Sequence, residues 1–345
     1  MQKIMKGSVE FYITNVCNFN CVNCNRLNNY YFSGHQLWKD YADAYHTWSQ
    51  KIDLVEMSIL GGEPLLNPSL MEWITGLKRL WPAAKLHVLS NGSRLEYWHK
   101  RGLFELLAET NTDLDLFLHN RSRRKEIIEE IKNYLVNPVG ELINNTHVEW
   151  AQCYNNVKDP SWPECNTYDD FANLPRHIQQ ECVEIHKIGW DDFLQDTGIY
   201  SIKDANGVQV FINFAEDFLT APLKYSGADQ FNVYHSIPEQ AHKVCPSKHC
   251  TTMFSGKMYK CHHMALLPEF SKQYNVVMTN DQKTLLGSYQ PLLPQDELEV
   301  MDNFIKNLRH TMPQCQLCPS SLDVTKLTSS TDKPKVKKLI PIKVS

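Results

Sequence analysis

The chain has 345 residues, 42% of them hydrophobic, and a formal net charge of −4 at neutral pH. That length suffices for one full α/β core plus a small appended unit, while the slightly acidic balance gives no basic footprint for nucleic acid. No stretch approaches the roughly twenty apolar residues of a membrane span. The opening Met1-Gln-Lys-Ile-Met lacks a signal-peptide pattern, so a cytoplasmic protein is expected, with its 11 cysteines at metal-type spacing rather than in a disulfide framework.

The first predicted strand covers residues 9–14. Directly after it comes Cys17-Asn-Phe-Asn-Cys21-Val-Asn-Cys24, a C-x3-C-x2-C spacing. Three thiolates on one short loop fall one short of a closed four-ligand site. On a 4Fe–4S cubane they leave one iron open to a small molecule. From this loop alone, zinc-knuckle and disulfide readings stay open.

A helical pattern at 40–51 precedes the apolar run 54–60, read as a buried strand ending in Gly61-Gly62-Glu63-Pro64. Two glycines let the backbone approach a ligand closely. Glu63 sits at a strand's carboxyl end, where α/β folds collect ligands, as an acceptor for an ammonium group, and Pro64 stops the strand. A second helix (68–80) and a third strand (85–90) follow, closed by Ser90-Asn91-Gly92.

Helices at 94–109 and 121–136 flank a fourth strand at 113–119, and a fifth strand is read at 147–152. Leu114, Leu116 and Leu118 form one face of the fourth strand, with Asp113, Asp115, Phe117 and His119 on the other. In the fifth, Val148 and Trp150 oppose Glu149, Ala151 and Cys153. The apolar faces must meet the helices, so the polar faces line an interior. A closed eight-stranded barrel fills its interior with apolar layers; a polar interior implies an open, wider barrel holding a ligand. The sixth strand is not evident, because Ile199–Lys203 and 208–214 flank Asp204-Ala-Asn-Gly207, a hairpin turn.

These motifs resemble those of the radical S-adenosylmethionine (SAM) superfamily. The resemblance rests on Cys17, Cys21 and Cys24, on Gly61 to Pro64, and on Ser90-Asn91-Gly92, where family members often carry Thr-Asn-Gly near the SAM ribose. It implies an α/β fold with a partial (β/α)6 barrel, SAM chelating the open iron, and its ammonium held by Gly61, Gly62, Glu63 and Pro64. Many members have an aromatic residue before the third cysteine; here Asn23 stands there, offering adenine only its backbone.

A second group, Cys245, Cys250, Cys261, Cys315 and Cys318, follows the pattern C-x4-C-x5-G-x4-C, a long gap, then C-x2-C. Residues 250–261 read as a hairpin turning at Ser255-Gly256. The arrangement is similar to the SPASM/twitch extension of radical SAM enzymes, closest to its shorter form with one auxiliary 4Fe–4S cluster. Four of the five cysteines are needed, and Cys245 and Cys250 compete for one place; a structural zinc ribbon is the alternative. His262 and His263 are expected to face solvent.

The expected division is a barrel over 1–240, with substrate-recognition loops in 155–240, an auxiliary-cluster unit over 241–328, and a flexible basic tail over 329–345. The resemblance implies reductive SAM cleavage by an electron from a donor such as flavodoxin or ferredoxin. Hydrogen abstraction from a peptide or protein side chain would follow, or else from a small molecule; a non-enzymatic metal scaffold is the third reading. Asp115, His119, Glu149 and Cys153 are the candidate catalytic residues facing the interior, with Cys153 a hydrogen-atom donor if the enzyme is an epimerase.

Overall fold

The computed structural model describes residues 3–21, 24–28, 30–118, 124–143, 199–214, 217–218, 221–227, 229–245, 251–308, 310–321, 325–326 and 329–330. In chain order the strands are Ile4–Tyr12 (β1), Ile52–Leu60 (β2), Lys85–Ser90 (β3), Thr112–Leu118 (β4), Val139–Ile143 (β5), Ile199–Lys203 (β6), Gln209–Phe214 (β7), Lys224–Tyr225 (β8), Gln230–Asn232 (β9), Thr252–Phe254 (β10), Lys257–Tyr259 (β11) and Asn275–Val277 (β12). Helices Trp38–Lys51 (α1), Leu70–Leu80 (α2), Leu95–His99 (α3), Leu103–Thr110 (α4) and Arg124–Tyr134 (α5) intervene among the first five strands.

A nine-stranded sheet in the order β11-β10-β1-β2-β3-β4-β7-β6-β5 organises the protein. Strands β10, β1, β2, β3, β4 and β7 run parallel in a row, and β11, β6 and β5 are antiparallel to their inner neighbours. Repeated βα units make the parallel centre, as the alternation of strand and helix patterns requires.

The helix-side core takes every second residue of these strands. Val9, Phe11 and Ile13, then Leu86 and Val88, then Leu114 and Leu116, and finally Val210 and Ile212 are all fully buried. They meet Trp73, Ile74 and Leu77 of α2 and Leu103 and Leu107 of α4. Four tryptophans in this core satisfy their indole N–H on main-chain carbonyls: Trp48 on Gly256, Trp73 on Gln36, Trp81 on Ile52 and Trp98 on Leu65. Such pairing is needed because an unmet buried donor costs about 1–3 kcal/mol.

Two expectations differ from what is seen, and one lies outside the described residues. The fifth strand read at 147–152 lies outside the described residues; among those described, β7 pairs with β4, and its Val210 and Ile212 continue the leucine stripe. The single helix expected at 94–109 is two helices, since Gly102 takes φ +84° and breaks it. The hairpin turning at Ser255-Gly256 adds to the main sheet, with Glu10 opposite Thr252 and Phe11 opposite Met253.

The Asp204–Gly207 turn between β6 and β7 is as expected, with Asp204 Oδ1 accepting from the backbone N–H groups of Asn206 and Val208. On the inner face of the sheet, Tyr12 and Leu60 pack with Leu27, Phe32, Phe254 and the helix His262–Gln273 (α6). This second core places the C-terminal third against the loop that carries the first three cysteines. Ser329–Ser330, assigned in sequence to a loose tail, pairs antiparallel with Asn20–Cys21; residues 331–345 lie outside the described residues. Among the described residues no helix is long and apolar enough to cross a membrane.

Candidate functional site

The carboxyl ends of β1, β2 and β3 converge on one cavity of about 170 Å³. Its walls include Cys17, Cys21 and Cys24, the segment Leu60–Glu63, Leu89, Ser90 and Asn91, together with Phe19, Arg26, Asn28 and Phe117. The three motifs separated in sequence therefore share one wall. Gly92 stands beside them at φ +75°, a backbone state that favours glycine.

Backbone pairing aligns the motifs. Gly62 N–H donates to Thr14 O at 2.7 Å and Glu63 N–H to Val16 O at 2.8 Å, continuing the β1–β2 ladder up to Cys17. The glycine pair is required by this approach: a Cβ on Gly61 would stand 2.5 Å from Thr14 O, and one on Gly62 2.3 Å from Val16 O. Close approach to a ligand was the expected reason for these glycines; close approach to the cysteine loop is the observed one.

Glu63 is 1% exposed and caps the turn that Pro64 begins. Its Oε1 accepts from Leu65 N–H at 2.9 Å and from Ser90 Oγ–H at 2.7 Å, and its Oε2 from Asn91 N–H at 2.7 Å. Burial pushes its carboxyl up to about 7, with the bonds from Asn91, Ser90 and Leu65 pulling the other way. A carboxylate offers about four acceptor positions, so one remains for a ligand donor.

Asn91 Nδ2 donates to Asn18 Oδ1 at 3.2 Å, and Asn18 Nδ2 to Ser93 Oγ at 2.8 Å, tying the end of β3 to the cysteine loop. Below the loop, the Arg26 guanidinium holds both oxygens of Glu10 at 3.1 Å.

Sequence reasoning missed two supports. Asn28 donates to Asn15 O at 2.6 Å and accepts from Tyr12 Oη at 3.2 Å. Asn67, fully buried, donates to Ile13 O at 2.6 Å and Gln36 O at 2.9 Å while accepting from Ser69 N–H at 2.8 Å. A buried asparagine next to a glycine-rich turn was the signal available for the second.

Of the candidate catalytic residues, Asp115 lies on the inner face of β4 opposite Leu89, as alternation predicted. His119, Glu149 and Cys153 lie outside the described residues, as does Asn23.

The described members of the second cysteine group come from three places in the chain. Cys245 follows the helix Pro238–Lys243, Cys261 caps α6, and Cys315 lies within the 3₁₀ turn Pro313–Leu317 that Cys318 closes. Burial pushes the Cys261 thiol up to about 12, and the neighbouring Cys245 and Cys315 add to the rise. Cys318 is held well above the usual thiol range by burial and then by Cys261, Cys245 and Cys315. The influence of each thiol on the others places Cys245, Cys261, Cys315 and Cys318 near one another. Among the described residues, no three His, Cys, Asp or Glu side chains are grouped to hold a single metal ion. Cys250 lies outside the described residues.

His262 and His263 are 3% and 4% exposed, against the expectation of solvent-facing positions. The chain turns helical immediately after Cys261, which swings both rings into the second core. His262 hydrogen-bonds the backbone of Asn25, so the two cysteine groups touch through neighbouring residues.

Residues 6–136 match the family model described as "4Fe-4S single cluster domain". Over that stretch the chain is similar to this iron–sulfur family. No curated protein matches the chain.

Among solved structures, the chain is similar to "BtrN in complex with AdoMet and 2-DOIA", with 12% identity, TM-score 0.37 and 94% of each chain covered. It is also similar to SuiB of Streptococcus suis bound to S-adenosylmethionine, with 14% identity, TM-score 0.32, and 90% of this chain and 71% of that one covered. A second SuiB structure gives 14% identity and the same TM-score of 0.32, over 91% of this chain and 70% of that one.

The matched stretch contains all three cysteines of the loop, the Gly-Gly-Glu-Pro turn and Ser90-Asn91-Gly92. The donor set fits a 4Fe–4S cluster: three thiols on one cavity wall with no fourth cysteine among its lining residues.

Proposed function

We propose that the chain is a radical SAM enzyme that cleaves SAM reductively and removes a hydrogen atom from a substrate lying against the inner face of the sheet. The observation that carries this reading is the shared cavity in which Cys17, Cys21, Cys24, Glu63, Ser90 and Asn91 meet. When bound, the cluster and SAM together supply a carbon-centred radical strong enough to break an unactivated C–H bond; the protein supplies position and dryness.

Each residue has its own task. Cys17, Cys21 and Cys24 would hold the cluster on one wall of the cavity. Glu63, with one acceptor position free, takes an N–H of the ammonium. Ser90 and Asn91 stand on the ribose side and fix Glu63 at the same time. Leu89 and Phe117 give the cavity an apolar wall that keeps water from the reacting carbon.

Cys245, Cys261, Cys315 and Cys318 would hold an auxiliary 4Fe–4S cluster, whose chemistry when bound is one-electron redox. The substrate of this reading is a peptide or protein side chain, oxidised or cross-linked, and the reductant is a flavodoxin or ferredoxin. A small hydroxylated molecule is the alternative, favoured by the charged side chains on the inner face of β3 and β4.

Anaerobic reconstitution, dithionite and SAM test the reading. Release of 5′-deoxyadenosine is expected, with about eight irons per chain, falling to about four in Cys318→Ala. A fully loaded protein that releases none refutes the proposal.

A further inference from the structure

The second cysteine group has a charged neighbour that the proposed reaction does not use. The stretches 240–268 and 303–322 carry all five of its cysteines. They hold Lys243, Lys248, Lys257, Lys260, Lys306 and Arg309 but no aspartate or glutamate, although the chain as a whole is slightly acidic. Lys260 comes immediately before Cys261 and is buried, at 8% exposure.

The fold ties Lys260 to the rest of the group. Its backbone N–H donates to Tyr289 Oη at 2.8 Å. Gln314, the residue before Cys315, donates to Leu285 O and to Ser288 Oγ at 3.1 Å each. The end of the helix Asn280–Gly287 and the two residues after it therefore hold the strand end at Lys260 and Cys261 beside the turn that carries Cys315. The Lys260 ammonium accordingly feels Cys315 most among the thiols, then Cys261 and Cys245, all three favouring its charge against burial.

A structural lysine is satisfied differently. Lys51 donates to the carbonyls of Pro294 and Asp296, and Lys78 to those of Pro82 and Ala84. Among the described residues, Lys260 Nζ meets neither a carbonyl nor a carboxylate, and the groups that act on it are thiols. Burial without a counter-ion is costly for an ammonium. The anions within its reach are the thiolates that those cysteines become on binding metal.

We propose that Lys260 is the counter-charge of the second cysteine group: its ammonium helps to gather four thiolates around one iron–sulfur core and favours the reduced, more negative form of that core. The inference rests on reading Cys245, Cys261, Cys315 and Cys318 as an auxiliary-cluster site, and it adds the residue that sets the potential there. Four thiolates outweigh the positive charge of the core. Reduction adds one electron, with no bond made or broken and no proton moved. A fixed positive charge nearby therefore stabilises the reduced form more than the oxidised one. In a buried site one such charge shifts a charge equilibrium by about tenfold or more. Cys261 also caps α6, whose N-terminus adds partial positive charge.

The test is a redox titration of the reconstituted full chain, followed by electron paramagnetic resonance and iron counts. The auxiliary signal is the one that Cys318→Ala lacks, and the remaining signal is the internal reference. Lys260→Met keeps a long apolar stem and removes the charge. At a fixed potential it should lower the ratio of reduced to oxidised auxiliary cluster at least tenfold, a midpoint shift of about 59 mV for one electron, with the reference unmoved. Lys260→Arg should restore the wild-type midpoint. Lys257→Met, which removes an exposed charge from the same hairpin, should leave that midpoint in place.

Three results overturn the proposal alone. One is a fully loaded Lys260→Met protein with the wild-type midpoint. Another is a loss, of midpoint or of iron, that Lys260→Arg shares, which marks packing rather than charge. The third is wild-type auxiliary iron that gives no reduced-state signal. Should Lys260→Met fail to load the second cluster where Lys260→Arg loads it, the charge is required for assembly and the proposal stands. A wild-type chain with no Cys318-dependent iron, or with zinc in its place, overturns the auxiliary-cluster reading and the role of Lys260 with it, and leaves the reading of the SAM cavity untouched.

Discussion

Alanine at Gly62 is the sharpest probe of how the cofactor site is built. Its Cβ would lie 2.3 Å from Val16 O, 2.6 Å from Val16 C and 3.0 Å from Cys17 Cβ. Carbon and oxygen do not approach closer than about 3 Å, so one backbone must retreat by most of an ångström, which for a packed interior costs about 1–3 kcal/mol. The retreat also stretches the bonds from Gly62 N–H to Thr14 O and from Glu63 N–H to Val16 O, each worth about 1 kcal/mol.

The expected loss for Gly62→Ala is therefore about 3–5 kcal/mol, or roughly 5 °C in melting temperature for a chain of this length. Because the displaced segment carries Cys17, reconstituted iron should fall with stability. Gly287→Ala is the internal control, since nothing lies within 4 Å of its Cβ position at the end of the helix Asn280–Gly287. There helix propensity predicts no loss. Thermal melts and iron counts on both variants decide the matter. A Gly62→Ala protein with the wild-type melting temperature and iron content would refute the account of the glycine pair.

Two further outcomes are expected. Glu63 holds its proton up to about 7 in the folded state against an ordinary 4.5, so the native state binds more protons than the unfolded state between those values. Stability of the metal-free protein should then fall by roughly 3 kcal/mol as pH rises through that window, and denaturant titrations at pH 5 and pH 8 should show Glu63→Gln lacking that component. Asn67→Ala removes the two bonds to Ile13 O and Gln36 O and strands Ser69 N–H; a loss of about 2–4 kcal/mol, read as a lower denaturation midpoint, is expected.

Local pattern carried the sequence reading where the physics is local. Alternation in residues 113–118 placed Leu114, Leu116 and Leu118 in the core and Asp115 inside, because strand side chains have period two. The cysteine loop and the Gly-Gly-Glu-Pro turn were legible as motifs, and the cavity they share needed only a parallel sheet to bring strand ends together.

What stayed hidden was partnership across long separations. Nothing in Thr252–Phe254 says that it pairs with β1, since periodicity gives the type of an element and not its neighbour. His262 and His263 read as polar surface, and only the helix after Cys261, packed against Tyr12 and Leu27, makes them interior. The tie between Glu63 and Ser90 likewise depends on two loops meeting, which neither loop announces.

The partnership of Glu10 with Thr252 also sets a timetable. At bacterial-like elongation rates of about 5–20 residues per second, the 242 positions between them take on the order of ten to fifty seconds to emerge. Throughout that interval the strand leading into Cys17 has an open outer edge and lacks the C-terminal core beneath its loop. Iron insertion before the ribosome finishes would meet an unsupported thiol loop, so metallation is expected to belong to the released, completed chain.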